Sequence, residues 1–262
     1  MFVAIIQARM GSTRLPNKVM AKVLNKPLIE YLLERVSKAK YIDKIILATT
    51  ENSEDEILAK HVSSLGYEVF KGSENDVLGR YYNAFLTLGE LKDSVEGIIR
   101  ITGDCPLFEP EICDKLIEKY INYNLDFANL DKTFAEGLDC AVFSKDLLYE
   151  ANANTKLPFE REHITQYFNE NRKKFNVSSL VNETDDSHYR ITVDEYDDLE
   201  VVKNIIEYFD KSDQEMNIEN IKGYLDSFPE IFALNSNIIR NEGLIKSLNS
   251  ENSKSQRGKC DI

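Results

Sequence analysis

The chain predicts an α/β fold, a three-layer sandwich with a mixed, mainly parallel sheet and a C-terminal helical appendage. Three observations predict it. Short apolar runs alternate with amphipathic helical stretches over the first 120 residues. The opening run, Phe2–Ile6, is apolar without alternation, as a strand covered on both faces requires. Strand and helix following one another in this order favour parallel pairing through crossover connections.

The elements follow in chain order. After the Phe2–Ile6 strand, residues 27–38 carry Leu28, Tyr31, Leu32 and Val36 at helical spacing. Lys44–Thr49 reads as a second strand, and Asn52 or Ser53 caps a helix that Gly66 stops. Tyr67–Phe70 is a third short strand. Asp76–Leu91 reads as a helix with Val77, Leu78, Tyr81, Tyr82, Phe85 and Leu88 on one side, a group more typical of a core than of a base-stacking platform. Gly97–Thr102 is a fourth strand and Pro110–Tyr120 a further helix. Beyond residue 120 the rhythm changes. Asp126–Asn129, Cys140–Phe143 and Tyr189–Val193 suggest short strands of mixed direction, with a helix near Arg161–Asn171 and another over Leu199–Phe209. Residues 1–210 form the main domain in this reading. Lys211–Met216 is a polar linker into a helical extension over 211–248, interrupted at Pro229, and 249–262 is a polar tail.

Composition narrows the function classes. Hydrophobic residues make up 42% of the 262, enough for a packed core. The net charge of −13 disfavours a nucleic-acid polymer as partner, while a local cation cluster still suits a small anion. No apolar run approaches the ~18 residues of a membrane span, and the opening run lacks the basic flank of a signal peptide, so a cytoplasmic location and no membrane partner are expected. The four cysteines form no CxxC pair and are expected to be reduced and structural.

The chemistry concentrates where predicted strands end. Gln7 closes the first strand, and the segment after it carries Arg9, Arg14 and Lys18 around Gly11, Ser12 and Thr13. Small residues expose backbone N–H groups and the cations offset charge, which makes a seat for a polyphosphate. Thr49 ends the second strand. Thr102-Gly103-Asp104 ends the fourth, and Thr192-Val193-Asp194 a later one. In open α/β sheets ligands bind beyond these carboxyl ends. If the strands are neighbours, one cleft receives the cations together with Asp104 and Asp194. Two carboxylates beside phosphate-binding cations suit Mg²⁺-dependent nucleotidyl transfer. No Walker-type GxxxxGK[ST] and no GxGxxG is present, which disfavours a simple NTPase or a dinucleotide-dependent dehydrogenase. Taken singly, Asp76, Asp104 and Asp194 also suit helix caps, and Glu160–His163 an ordinary polar helix face.

These stretches are recognisable together. IIQARMGSTRLPNK (Ile5–Lys18) closely resembles the signature of the acylneuraminate/Kdo cytidylyltransferase family, and within it the spore-coat polysaccharide biosynthesis branch. Gly72–Tyr82 (GSENDVLGRYY), Arg100–Leu107 (RITGDCPL), Glu136–Phe143 (EGLDCAVF), Glu160–Thr165, Arg190–Asp194 and Asn237–Gly243 also match, so the resemblance runs to about residue 248. It implies a Rossmann-like nucleotide-diphospho-sugar transferase fold, CTP as donor, Mg²⁺ as cofactor and pyrophosphate as product. Ala8 and Arg9 would border the cytosine and ribose, Arg14 and Lys18 would hold the triphosphate, and Asp104 and Asp194 would ligate Mg²⁺. Gln7, Gly11, Ser12, Thr49, Arg100 and Thr102 complete the expected nucleotide site, with Arg9, Lys18, Asp104 and Asp194 as its catalytic set. Gly137, Asp139, Glu162 and His163 would face a small anionic acceptor, a sugar acid or a phosphorylated molecule. Many members carry an acidic residue where this chain has Ala141. A homodimer is an option, with residues 125–185 as its arm. The rival activities are nucleotidyl transfer with another base and glycosyl transfer from a nucleotide sugar.

Overall fold

The computed structural model describes residues 1–156, 158–162 and 164–240. Its strands are β1 (Phe2–Gln7), β2 (Lys22–Val23), β3 (Lys26–Pro27), β4 (Ile42–Thr50), β5 (Glu68–Gly72), β6 (Gly97–Thr102), β7 (Phe127–Leu130), β8 (Cys140–Phe143) and β9 (Val177–Leu180). The helices are α1 (Leu28–Val36), α2 (Glu56–Ser64), α3 (Val77–Leu86), α4 (Pro110–Asn122), α5 (Lys145–Asn154), α6 (Pro158–Glu162), α7 (Ile164–Glu170), α8 (Tyr196–Asp210), α9 (Ile218–Ser227) and α10 (Pro229–Phe232).

Because Phe2–Ile6 offers no polar side chain to solvent, β1 takes the middle of the sheet, with β4 and β6 parallel on either side. The strand order is β5-β4-β1-β6-β8-β7-β9, and β2 and β3 form a separate hairpin. β8 runs antiparallel to both β6 and β7, and β9 returns parallel to β7. The mixed, mainly parallel sheet expected from the sequence is thus present.

Alternate residues of β1 feed two cores. Ala4 and Ile6 pack beneath α1, α2 and α4, while Val3 and Ile5 pack beneath α3, α5 and α7. Tyr81 and Phe85 are fully buried in the second core, as the core reading of that stretch requires. A third cluster joins α8 and α9 to Tyr189, Ile191 and Val193. The extension beyond residue 210 therefore contributes Ile221, Tyr224 and Leu225 to a core shared with the main domain.

Several elements differ from expectation. Tyr189–Val193 is buried throughout and alternates apolar with polar residues like a strand, yet among the described residues it forms only one isolated bridge, Glu136 to Arg190. Its backbone bonds go elsewhere: Ile191 N–H to the Glu136 carbonyl (2.8 Å) and Val193 N–H to the Asp104 carbonyl (2.8 Å). It crosses the end of the sheet instead of joining it. β9 and α5 are additional to the sequence reading. Pro229 opens α10 at its first turn, where a missing N–H costs nothing. The expected helix beyond residue 240, the tail from Asn249 and Cys260 lie outside the described residues. Cys105, Cys113 and Cys140 are free and buried, and among the described residues no helix is long and apolar enough to cross a membrane.

Candidate active site

The loop after β1 is held by groups from the next strand. Asp55 is fully buried and accepts from the Met10 N–H (2.5 Å) and the Thr50 hydroxyl. The Met10 carbonyl in turn accepts from Ser12 (2.8 Å) and Asn17 (3.0 Å), which curls the segment back on itself. Met10 and Val19 anchor its two ends in the core beneath α1 and α2. Gly103 passes directly against Ala8: a Cβ there would stand 2.5 Å from the Ala8 Cβ, so the close approach of the two loops depends on glycine.

Four of the expected residues meet at one point. Lys18 Nζ lies 2.8 Å from Asp194 Oδ1 and 3.3 Å from Asp104 Oδ2. Arg14 adds Nη2 at 3.0 Å from Asp194 Oδ1 and Nη1 at 3.3 Å from Glu195. The two aspartates converge because Val193 N–H and the Thr192 hydroxyl both donate to the Asp104 carbonyl. Arg9 turns the other way, onto Glu74, which also accepts from Asn52 (2.8 Å). Ser12 stays local, its hydroxyl accepting from Leu15 N–H (3.4 Å).

Charge decides the protonation states. Burial opposes the charge on Lys18, but the two aspartates outweigh it and raise its pKa. Burial likewise opposes ionisation of Asp104, and Lys18 with the Thr102 hydroxyl overcomes it, holding the carboxyl at about 2. An acid depressed below its unfolded value of 3.8 stabilises the fold above that pH and loses the contribution as pH falls toward its native value. The raised Lys18 contributes below 10.5 and loses its share as pH rises through its native value. The stability difference between wild type and Asp104→Asn in urea unfolding is therefore expected to be flat near neutrality and to shrink between roughly pH 4 and 2. A difference that does not change with pH in that window contradicts the ion pair.

A second network holds Asp194 in place and was not legible as a motif. Asp198, wholly buried, accepts from Arg190 Nε (2.7 Å) and Nη2 (2.8 Å), from the N–H groups of Asp194 (2.9 Å) and Glu195 (3.0 Å), and from Asn235 Nδ2 (2.9 Å). Arg190 also pairs with Glu136 (2.5 Å) and reaches Asp194 Oδ2 at 3.4 Å. Glu195, not Asp194, is the N-cap of α8, in a capping box with Asp198. The faint sequence signal was the acidic run opening α8, with Arg190 one helical repeat before Asp194.

The remaining expected residues are less concentrated. Gly137 has φ +108°, and a Cβ there would stand 2.5 Å from Thr192 N, so this glycine allows the two chain segments to touch. Asp139 accepts from the Gly137 N–H (3.2 Å). Glu162 is exposed on α6, which is tied to α3 by a two-pronged Arg161–Asp76 pair at 2.8 Å, while Asp76 caps α3. His163 lies outside the described residues. Gln7 Oε1, Thr49 Oγ1 and Arg100 Nε are buried with no hydrogen-bond partner, and Thr102 Oγ1 sits 3.3 Å from Cys105 Sγ. His61 faces Glu30, and His188 stacks on Tyr189.

Among the described residues no three His, Cys, Asp or Glu side chains form a metal cage. Two carboxylates sharing one cation are instead the donor set Mg²⁺ takes when phosphate oxygens and water complete its shell, so Asp104 and Asp194 fit the ion the sequence implied.

A family model described as cytidylyltransferase matches residues 3–223. The uncharacterized protein MJ1063 of Methanocaldococcus jannaschii is 39% identical over 242 residues, 90% of this chain and 95% of its own length. The spore coat polysaccharide biosynthesis protein SpsF of Bacillus subtilis is 33% identical over 208 residues, 76% of this chain and 83% of its own. A solved cytidylyltransferase from Leptospira borgpetersenii superposes with a TM-score of 0.80 at 33% identity, covering 88% of this chain and 96% of that one. The family model over residues 3–223, with relatives at 33% identity or more along most of their length, places the chain in the cytidylyltransferase family of nucleotidyltransferases, on the branch that includes the spore-coat protein.

Proposed function

We propose that the protein transfers CMP from CTP to a sugar acid or phosphorylated small-molecule acceptor and releases pyrophosphate, in the cytoplasmic stage of surface polysaccharide synthesis. The observation that carries this is the meeting of Asp104 and Asp194 on Lys18, beside Arg14, where the central strands end. An acceptor oxygen attacks the α-phosphorus in line. The new O–P bond forms as the bond to the β-phosphate oxygen breaks, and the electron pair leaves with pyrophosphate.

Arg14 and Lys18 are placed to hold the β- and γ-phosphates and to stabilise the charge that grows on the leaving group. In the free protein their carboxylate partners keep them oriented, so the triphosphate meets cations already in position. Bound between Asp104 and Asp194, Mg²⁺ would supply Lewis-acid stabilisation of the phosphate oxygens. A phosphate acceptor needs no base, whereas a hydroxyl acceptor must lose its proton to a carboxylate or water.

Pyrophosphate release with each of the four NTPs and a panel of sugar-acid and sugar-phosphate acceptors, in Mg²⁺ and in EDTA, tests the reading. CTP is expected to support turnover at least about tenfold better than the others, with EDTA abolishing it. Preference for another base, or release of a nucleotide from a nucleotide sugar without pyrophosphate, would replace this reading with one of its rivals.

A further inference from the structure

Most cations around the cleft have carboxylate partners, and Arg80 donates instead to the Ser73 and Glu74 carbonyls. Arg9 pairs with Glu74, Arg14 and Lys18 with Asp194, Arg161 with Asp76, and Arg190 with Asp198. Arg100, on β6, has no such partner among the described residues, and its Nε is buried without a hydrogen bond. Arg100 as a whole is half-buried, so its guanidinium keeps an open side while the buried Nε–H goes unmet, and an oxyanion is the partner that suits it.

Register shows which side of the sheet Arg100 serves. It stands opposite Ile5 of β1 and Ala141 of β8, and both of these belong to the core beneath α3, α5 and α7. Gln7, a diagonal neighbour on that face, has its Oε1 buried and unpartnered as well. The charge of Arg100 reaches the buried Tyr81 hydroxyl from the same side. The cation loop departs to the opposite face, where Met10 and Val19 enter the other core. Asp139, at the start of β8, and α6, tied to α3, lie on the Arg100 side. Directly opposite Arg100 on this face stand Ile5 and Ala141, neither of them charged, and Asp139, two residues from Ala141, is engaged with the Gly137 N–H.

We infer that Arg100 is the specificity-determining anchor for the acceptor's own anionic group, a carboxylate or phosphate, and not a contact of the CTP triphosphate. The planar guanidinium offers a fork that matches either oxyanion. This rests on the nucleotidyl-transfer reading only in naming the anion's owner. The unpaired cation itself does not depend on that reading.

Calorimetric titration of the full chain with CTP, and separately with 3-deoxy-manno-octulosonate (a carboxylate), glucose 1-phosphate (a phosphate) and glucose (neutral), tests the assignment. One anion is expected to bind and glucose is not, and which anion binds identifies the group. Arg100→Gln is expected to weaken that anion by about tenfold or more, Arg100→Lys by less, and both to leave CTP affinity within about twofold. Equal binding of glucose, no anion bound, or unchanged anion affinity in Arg100→Gln overturns the proposal. So does a loss of CTP affinity, which would return Arg100 to the nucleotide site. If wild type binds an anion through Arg100 but not CTP, nucleotidyl transfer fails while the anion site stands.

Discussion

Asp104→Asn is expected to lower kcat for pyrophosphate release by about 10³-fold while the protein stays folded. The amide keeps the shape of the carboxylate and removes its charge. Lys18 then keeps only Asp194 as a close acidic partner, and half of the proposed Mg²⁺ donor set is lost. CTP binding measured without metal has the opposite expectation: affinity should hold or rise, because one carboxylate no longer competes with phosphate for Lys18. A variant that retains more than about a tenth of the wild-type rate, a loss too small for a metal ligand, would remove Asp104 from the chemistry.

Asp198→Ala should be the most damaging single change to stability, costing about 3–5 kcal/mol in chemical denaturation. Asp198 is 0% exposed and Arg190 is 6% exposed. Burial resists ionisation of Asp198, but the bonds from Arg190 hold its pKa below the ordinary carboxylate value. Removing it strips Arg190 of its two-pronged partner and leaves the N–H groups of Asp194 and Glu195 without their acceptor. Activity should fall further than the unfolded fraction explains, since the backbone that aims Asp194 is released. A loss below about 1 kcal/mol would mean that Glu136 and Asp194 can satisfy Arg190 alone.

The sequence was most legible where one physical signal dominated. Phe2–Ile6 could only be a strand covered on both sides, and Gly97–Thr102 and Cys140–Phe143 were found with their bounds intact. β9 was missed because its four residues, VSSL, are all half-buried, so no apolar run marks the sheet edge. Tyr189–Val193 misled for the reverse reason. Its alternation reflects burial against the third core, and periodicity does not report where the backbone bonds go. In the site, Lys18, Asp104 and Asp194 stood out because each follows the end of a strand expected from the sequence. Asp198 and Asp55 did not, because a carboxylate that accepts backbone N–H groups looks in sequence like any helix-opening acid. Arg100 was visible as a cation, but its want of a counter-charge appears only once β8 is seen to place Ala141 opposite it.

Asn235 lies beyond the last described helix, yet its side chain bonds both the Arg190 carbonyl and Asp198. The seat of Asp194 is therefore closed by a residue far along the polypeptide. During vectorial synthesis the sheet and its cation loop can assemble early, but this clasp cannot form until the ribosome has delivered Asn235. A nascent chain would thus hold a nearly finished but unlatched centre until that residue emerges.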